Sequence, residues 1–249
     1  MYENKYKKYN IDSSWKKLFN GDFGFLPFKA NEDARNLGQH EFPKDEDTFR
    51  FATTPINNIK CVIVGMEPYA SWYIDKKTND IIPQATGRSF EVDELKDKTW
   101  LHKFKQASLR NIGKCLYLCE KGESVTSQKF REEIENNNFF IANPNDWFEN
   151  LSNQGVCFLN AALTVKKDTP GTGKEYWEDF GKAFVEATKE NKNIVWFLLG
   201  KDAQNTFLPY LKAVSYNESN IICTPHPRMA SFSKEPWFLK CSNINWSGI

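Results

Sequence analysis

The chain has 249 residues, and its 33 lysines and arginines are balanced by 32 aspartates and glutamates. This length suits one α/β domain over residues 1–249, and the balanced charge excludes an overall attraction to polyanions, so nucleic acid would need a local basic patch. The sequence shows no apolar signal-peptide region and no stretch long enough to span a membrane, so we expect a cytoplasmic monomer.

The first 55 residues are rich in aromatic side chains and predict helices and loops packed against the rest of the chain. Four short, continuously apolar runs follow, a pattern typical of parallel strands covered on both faces. These runs are residues 61–64, 156–160, 194–199 and 220–224. Amphipathic spacing predicts helices at residues 101–119, 174–191 and 202–211, and polar composition predicts loops at residues 76–83 and 135–150.

The alternation of these strands and helices predicts the fold class. Parallel strands joined by helices require right-handed crossovers, which build a doubly wound sheet. We therefore expect a three-layer α/β/α fold around a central four-stranded, mainly parallel sheet.

Chemically useful side chains follow the first and the last of the predicted strands. Glu67 comes just after residues 61–64, and His226 just after residues 220–224. Taken alone, Glu67 would more often be a surface carboxylate. His226 alone could be a loop residue bonded to its own backbone. Open α/β sheets bind ligands outside the carboxyl ends of their strands. Their shared position at the strand ends therefore favours a functional role for both side chains, and we expect them to face one cleft.

The cysteines and histidines do not suggest a metal site. None of the six cysteines has Cys-x-x-Cys spacing, and three lie inside apolar runs. We expect reduced thiols, no metal ion and no cofactor.

Six segments resemble, in chain order, motifs of the uracil-DNA glycosylase superfamily, and most of all its family 1 branch, which excises uracil. That branch carries a Gly-Gln-Asp-Pro-Tyr-His motif, and residues 65–70 read Gly-Met-Glu-Pro-Tyr-Ala. The other segments are residues 87–92, 108–112, 155–165, 196–204 and 226–231. The resemblance implies the α/β fold of this superfamily and a base-flipping DNA N-glycosylase that needs no cofactor.

The resemblance assigns the catalytic roles to Glu67 and His226. Cleavage of a nucleoside leaves an anionic base and an oxocarbenium-like sugar, so catalysis needs negative charge near the sugar and a hydrogen-bond donor at the base. Glu67 would position the water and stabilise the sugar cation, and His226 would donate to O2 of the leaving base. The water-activating motif has no lysine, so we expect a monofunctional enzyme that leaves an abasic site.

Four residues are candidates for base binding. Phe90 would stack on the flat face of the extruded base, and Asn160 would read its polar edge, with the rotation of the amide left open. By resemblance, Tyr69 would stand against C5 and exclude thymine. Met66, next to Glu67 in the motif, is the fourth candidate for base binding.

The candidates for DNA binding lie at a predicted helix start and in the loop after the last strand. Ser108 and Ser231 would contact phosphates, with the Arg228 cation nearby. Met229 or the smaller Ala230 would fill the stack that the extruded base vacates. The expected partner is therefore DNA, single- or double-stranded, containing a modified pyrimidine.

Three departures from the family motifs leave the substrate open. Glu67 stands where the family has aspartate, Ala70 replaces a histidine, and residues 71–85 are longer than the family connection. The leading hypothesis is excision of uracil or another modified pyrimidine. One alternative is a glycosylase for hypermodified pyrimidines of phage DNA, acting in antiviral defence, and another is a DNA-binding module without catalysis.

Overall fold

The computed structural model describes residues 3–249. Its strands are β1 (His40–Phe42), β2 (Cys61–Gly65), β3 (Trp72–Ile74), β4 (Ile81–Pro83), β5 (Val156–Asn160), β6 (Val165–Lys166), β7 (Val195–Leu199) and β8 (Ile221–Thr224). Its α-helices are α1 (Glu3–Lys8), α2 (Lys16–Asn20), α3 (Pro27–Asn36), α4 (Ala107–Lys121), α5 (Ser127–Glu135), α6 (Pro144–Asn153), α7 (Lys174–Trp177), α8 (Phe180–Thr188) and α9 (Lys201–Ala213).

The central sheet has four strands in the order β5-β2-β7-β8. All three pairings are parallel, with Gly65 opposite Asn160 and Leu199 opposite Thr224. Each of the four predicted strands forms, with bounds within one residue of the prediction. The predicted α/β fold with a four-stranded parallel sheet is confirmed.

Alternate residues of these strands face two different hydrophobic cores, because side chains of a strand point to opposite faces of the sheet. Val62 and Val64 pack in the core that also contains Phe184 of α8 and Phe207 of α9. Ile63 packs in the second core, which includes residues of β5, β7, α4, α6 and the segment after β8. Helices therefore cover both faces of the sheet.

The amino-terminal segment packs against the α8 side of the sheet. Trp15 is completely buried, and its ring lies 5.3 Å from that of Phe184. The prediction of one domain over residues 1–249 stays a prediction, and its first two residues lie outside the described part of the chain.

Several element boundaries differ from the predictions. The predicted loop 135–150 is wrong at its end, where α6 forms because Trp147, Phe148 and Leu151 share a buried face that outweighs the surrounding asparagines. The predicted loop 76–83 ends in β4, which pairs with β3 as an antiparallel hairpin. The predicted helix 101–119 begins only at Ala107, and helix 174–191 is divided into α7 and α8.

Within residues 3–249, no helix combines the length and the apolarity that a membrane crossing requires.

Candidate active site

The candidate site lies at the carboxyl ends of β2, β5 and β8. Asn160 is the last residue of β5 and stands opposite Gly65, the last residue of β2. Glu67 follows β2 by two residues, and His226 follows β8 by two residues. The parallel sheet therefore places the three predicted side chains at the same edge, as doubly wound folds place their ligands.

The backbone of its own loop holds the His226 ring. The Arg228 amide donates to Nδ1 of His226 at 3.1 Å, so the neutral ring carries its proton on Nε2. Burial, and to a smaller extent the Arg228 guanidinium, lower the pKa of His226 below its usual value, while Asp202 opposes them. Asn111 of α4 donates to the Pro227 carbonyl at 2.7 Å and fixes the loop. The imidazole is thus a neutral donor.

A glycine after β7 lets the backbone lie close to the His226 side chain. Gly200 has a φ of +97°, and a Cβ at this position would lie 2.9 Å from Cβ of His226. A larger residue would both strain the backbone and displace the imidazole.

Phe90 and Asn160 face the same point of the β2 backbone. A Cβ placed on Gly65 would lie 2.8 Å from Oδ1 of Asn160 and 3.4 Å from Cζ of Phe90. The Phe90 ring also meets the His226 ring edge to face, with centroids 5.9 Å apart. The aromatic face, the amide and the imidazole therefore converge, which is the combination needed to grip a flat base and read its edge.

Phe90 has a backbone conformation that few residues with side chains adopt. Its φ is +66°, in the left-handed region. The next residue, Glu91, is buried and accepts hydrogen bonds from Arg50 at 3.1 Å and Arg88 at 3.3 Å, and from the Thr86 hydroxyl at 2.5 Å. These bonds anchor the segment that presents the Phe90 ring.

Glu67 is held by a distant loop. Its Oε1 accepts from the Gly171 amide at 2.5 Å, and its Oε2 from the Gly173 amide at 3.2 Å. Burial raises the pKa of Glu67, the two amides oppose that rise, and Asp202 adds to it. The carboxylate is therefore fixed at two points in a setting that makes it more basic than an ordinary glutamate.

Glu67 and His226 line two adjoining cavities, whereas the sequence predicts one cleft. The Glu67 cavity has a volume of about 160 Å³, and the His226 cavity a volume of about 670 Å³. Met66 and Asp202 line both cavities and form the wall between them. On its own side, the Glu67 carboxylate binds the amides of the loop after β6.

The remaining predicted residues fall into a buried and an exposed group. Tyr69 and Ser108 interact through their side chains, and burial raises the pKa of Tyr69 to about 12. Ser108 is only 6% exposed. Four residues of the loop after His226 are exposed, namely Arg228, Met229, Ala230 and Ser231.

Sequence reasoning missed Asp202 and the two glycines that hold Glu67. Asp202 lies in the first turn of α9 and acts on the pKa of both catalytic candidates. The sequence did carry a signal for Asp202, because the Gly-Lys-Asp segment follows β7 at the same edge of the sheet. Gly171 and Gly173 gave no such signal, since they lie more than 100 residues from Glu67.

Across the described residues 3–249, no three His, Cys, Asp or Glu side chains group as a metal site requires.

Comparison with known proteins identifies the family. The family model for the uracil DNA glycosylase superfamily matches residues 51–244, which is most of the chain. The chain belongs to this superfamily. The uracil-DNA glycosylase of Aliivibrio salmonicida is 32% identical over 234 residues, which cover 87% of each chain. That of Mesomycoplasma hyopneumoniae is 30% identical over 196 residues, covering 78% of this chain and 71% of its own.

Solved structures agree with the fold of a superfamily member. The wild-type UNG of Nitratifractor salsuginis superposes with a TM-score of 0.68 at 15% identity, covering 97% of this chain and 94% of that one. The mimivirus uracil-DNA glycosylase superposes with a TM-score of 0.60 at 19% identity, covering 88% of this chain and 70% of that one. The family model and the relative from Aliivibrio salmonicida confirm the predicted family, and with it the enzyme class, a hydrolytic DNA N-glycosylase.

Proposed function

We propose that the protein excises uracil from DNA by hydrolysing the N-glycosidic bond and leaves an abasic site in an uncut strand. The observation that carries this proposal is the convergence of Phe90 and Asn160 on the backbone of Gly65, with the His226 ring in contact with that of Phe90. Glu67 stands in the adjoining turn. Membership of the uracil DNA glycosylase superfamily supports the same chemistry.

In the proposed reaction, the bond between C1′ and the base breaks and the base leaves with the bonding electrons. Nε2–H of neutral His226 donates a hydrogen bond to O2, where negative charge collects. Glu67, as a carboxylate, stabilises the positive sugar and orients the water whose oxygen bonds to C1′. The water proton passes to the carboxylate, and the pKa of Glu67, raised by burial, favours this transfer.

Base recognition in this proposal uses Phe90, Asn160 and two residues of the turn after β2. Phe90 covers the face of the extruded base, and the Asn160 amide pairs with O4 and N3. Tyr69 stands against C5, where a methyl or larger group would collide with the phenol. Met66, at the wall between the two cavities, contacts the base from the side of β2. Tyr69 therefore favours uracil over pyrimidines with bulky groups at C5.

DNA contact in this proposal falls to the exposed loop after His226. Met229 is 52% exposed and apolar, which suits a side chain that enters the stack vacated by the base. Ala230 is too short for that role. Arg228 and Ser231 are exposed and would contact phosphates, and Ser108, which interacts with Tyr69, is assigned the same role.

The test uses oligonucleotides that carry one uracil. Incubation with the protein followed by hot alkali should break the strand at the uracil, and omission of the alkali should leave it intact. Glu67→Gln should slow base release by about 10²–10⁴-fold, since it keeps the shape of the side chain and removes its charge. Glu190→Gln, an exposed carboxylate in the turn after α8, is the matched control and should leave the rate unchanged.

Two results would contradict the proposal. One is an intact strand after alkali at every enzyme concentration. The other is a strand break without alkali, which would indicate lyase chemistry.

A further inference from the structure

The β3–β4 hairpin belongs to residues 71–85, the stretch that is longer than the connection in the family motif, and the proposed chemistry leaves it without a role. Its strands pair antiparallel, with Trp72 opposite Pro83. None of the described residues 71–85 lines the Glu67 cavity or the His226 cavity. Any effect of the hairpin on base excision must therefore pass through other residues.

The first strand of the hairpin binds the loop after β6, residues 167–173. Nε1–H of Trp72 donates to both carboxylate oxygens of Asp168, each at 3.0 Å. Nζ of Lys167 lies 4.2 Å from the centroid of the Trp72 ring, so the cation lies over the aromatic face. One indole thus holds two consecutive residues of the loop, one through its edge and the other through its face.

The backbone adds a further contact at the same place. The Asp168 amide donates to the Ala70 carbonyl at 3.0 Å. Asp168 has a φ of +56°, in the left-handed region that is uncommon for a residue with a side chain. Residues 168–171 are all exposed, so burial contributes little to their position. The contacts with residues 70 and 72 therefore hold this side of the loop.

Internal hydrogen bonds make the loop a closed turn. The Lys166 amide donates to Oγ1 of Thr172 at 3.0 Å, and the Thr172 hydroxyl donates to the Thr169 carbonyl at 2.9 Å. The Thr169 amide in turn donates to the Lys166 carbonyl at 3.1 Å. Because these bonds close the turn on itself, a displacement on its hairpin side is passed to its other side.

That other side carries the amides that fix the catalytic carboxylate. Gly171 donates to Oε1 of Glu67, and Gly173 donates to Oε2. Gly171 follows Asp168 by three residues, so the chain between them spans at most about 11 Å. The hairpin, the loop and Glu67 therefore form one continuous series of contacts.

The three departures from the family motifs meet in this series of contacts. Trp72 of the longer connection packs against a small apolar cluster that includes Ala70 and Val165. Ala70, which replaces the histidine of the motif, is only 8% exposed. Glu67, which replaces the shorter aspartate, is the side chain that binds the loop amides. The longer carboxylate, the small residue and the hairpin thus belong to one structural unit.

We propose that the β3–β4 hairpin positions Glu67 for base excision, with Trp72 and Asp168 as positioning residues that act through the loop after β6. The inference rests on the proposed function, because it concerns the place of the carboxylate in that reaction. Neither positioning residue lines the two cavities of the site. Loss of the bond between them frees the loop and its amides, and the carboxylate then spends less time in its productive position.

The test removes this hydrogen bond and measures single-turnover excision of uracil. Trp72→Phe keeps an aromatic ring for Lys167 and removes the N–H donor. We expect the maximal rate to fall about tenfold, because a misplacement of about 1 Å costs about 100-fold and the contact through Ala70 remains. The enzyme concentration at half-maximal rate should stay within about twofold of the wild-type value, since the hairpin does not line the cavities.

Trp246→Phe is the matched control for this substitution. Trp246 is partly buried, and its Nε1–H donates to the Cys241 carbonyl at 2.9 Å, so the control also removes one indole hydrogen bond. It should leave the maximal rate unchanged. In the Glu67→Gln background, Trp72→Phe should change the residual rate by less than about twofold, because the carboxylate that the hairpin positions is already absent.

Two substitutions of Asp168 test the same bond from the other side, and both tolerate the left-handed backbone. Asp168→Gly removes the acceptor and should lower the maximal rate as Trp72→Phe does. Asp168→Asn keeps one acceptor oxygen for the indole and should stay within about threefold of the wild-type rate. This pair keeps the test decisive even if the Trp72→Phe protein folds poorly.

Amide hydrogen exchange follows the same contacts without any need for activity. In isotope-labelled protein, Trp72→Phe should accelerate exchange of the Gly171 and Gly173 amides about tenfold, whereas Trp246→Phe should not. Unchanged exchange at both glycines would overturn the inference, and so would an equal loss of rate in the Glu67→Gln background. If the wild-type protein releases no uracil, the proposed function fails, and hydrogen exchange still decides whether the hairpin holds the loop.

Discussion

The two catalytic candidates occupy equivalent places after parallel strands, and they are held in opposite ways. His226 is fixed by its near neighbours in sequence, since Arg228 binds its Nδ1 and the prolines on either side restrict its loop. Glu67 is fixed by amides of Gly171 and Gly173, which belong to another part of the chain. The imidazole ring is bonded within its own turn, which Asn111 of α4 holds through the Pro227 carbonyl, whereas the carboxylate itself depends on a contact between two loops.

This difference affects how the site tolerates change. A locally built group keeps its geometry as long as its strand is in place. A group held by a remote loop loses its geometry when that loop moves, even if its own strand is intact. Substitutions in the loop after β6 should therefore act on catalysis without touching the substrate.

Among the substitutions that test how the two groups are held, His226→Leu should have the largest effect. This change removes the Nε2–H donor while keeping a side chain of similar volume, and the rate of base release should fall by about 10²–10³-fold. Single-turnover excision measures it. His102→Leu, at an exposed position, is the control and should keep the wild-type rate. A loss below fivefold would show that the imidazole does not act on the leaving base.

Gly173→Ala should have the next largest effect, and it tests the remote half of the comparison. An added Cβ would lie 2.7 Å from the Thr164 carbonyl oxygen, 2.7 Å from Cβ of Ala162 and 3.1 Å from Oε2 of Glu67. The loop must shift, and a displacement of about 1 Å in the carboxylate reduces the rate of base release by about 100-fold.

The control for Gly173→Ala is Gly122→Ala at the end of α4. This glycine also resists substitution, with a φ of +75°, and has open space around it. The Gly122→Ala substitution should lower the free energy of unfolding by about 1 kcal/mol and leave the rate of base release unchanged. Thermal unfolding separates the two effects. Full activity of Gly173→Ala would show that the amides do not position Glu67.

The smallest effect concerns pH, and it sharpens the comparison because the two groups shift in opposite directions. Burial raises the pKa of Glu67, so its active, ionised form is lost at a higher pH than for an ordinary glutamate. Burial and Arg228 lower the pKa of His226, so its active, neutral form persists to a lower pH than usual. Both shifts place the loss of activity on the acid side, with a plateau above neutrality.

The pH dependence of kcat/KM measures this expectation. Below the pKa of Glu67, each unit of pH should reduce kcat/KM by about tenfold. The residual activity of Glu67→Gln should lack this decline and show only the weaker dependence of His226. A fall in kcat/KM as the pH rises through 7 would indicate that the imidazole acts as a cation.

The sequence allows the sheet and much of the site to be predicted for a physical reason. Buried parallel strands need continuous apolar runs, so β2, β5, β7 and β8 are visible, and the residues that follow them share one edge of the sheet. The helix α6 was not predicted, because its asparagines resemble a loop and its three apolar residues gain their stability only from tertiary burial.

The parts of the site that escaped prediction depend on contacts between distant segments. The bonds from Gly171 and Gly173 to Glu67 require the fold of the loop after β6, which no local pattern specifies. The division into two cavities likewise depends on the folded arrangement of several segments.

The edge position of β8 gives the two halves of the site unequal resistance to partial unfolding. In the described chain, β2 is hydrogen bonded to strands on both sides, whereas β8 pairs only with β7. An outer strand frays before an inner one, so the imidazole leaves its place while the carboxylate is still anchored. Heat or denaturant should therefore abolish enzymatic activity before most of the sheet unfolds. Faster amide hydrogen exchange along β8 should be the earliest sign of that loss.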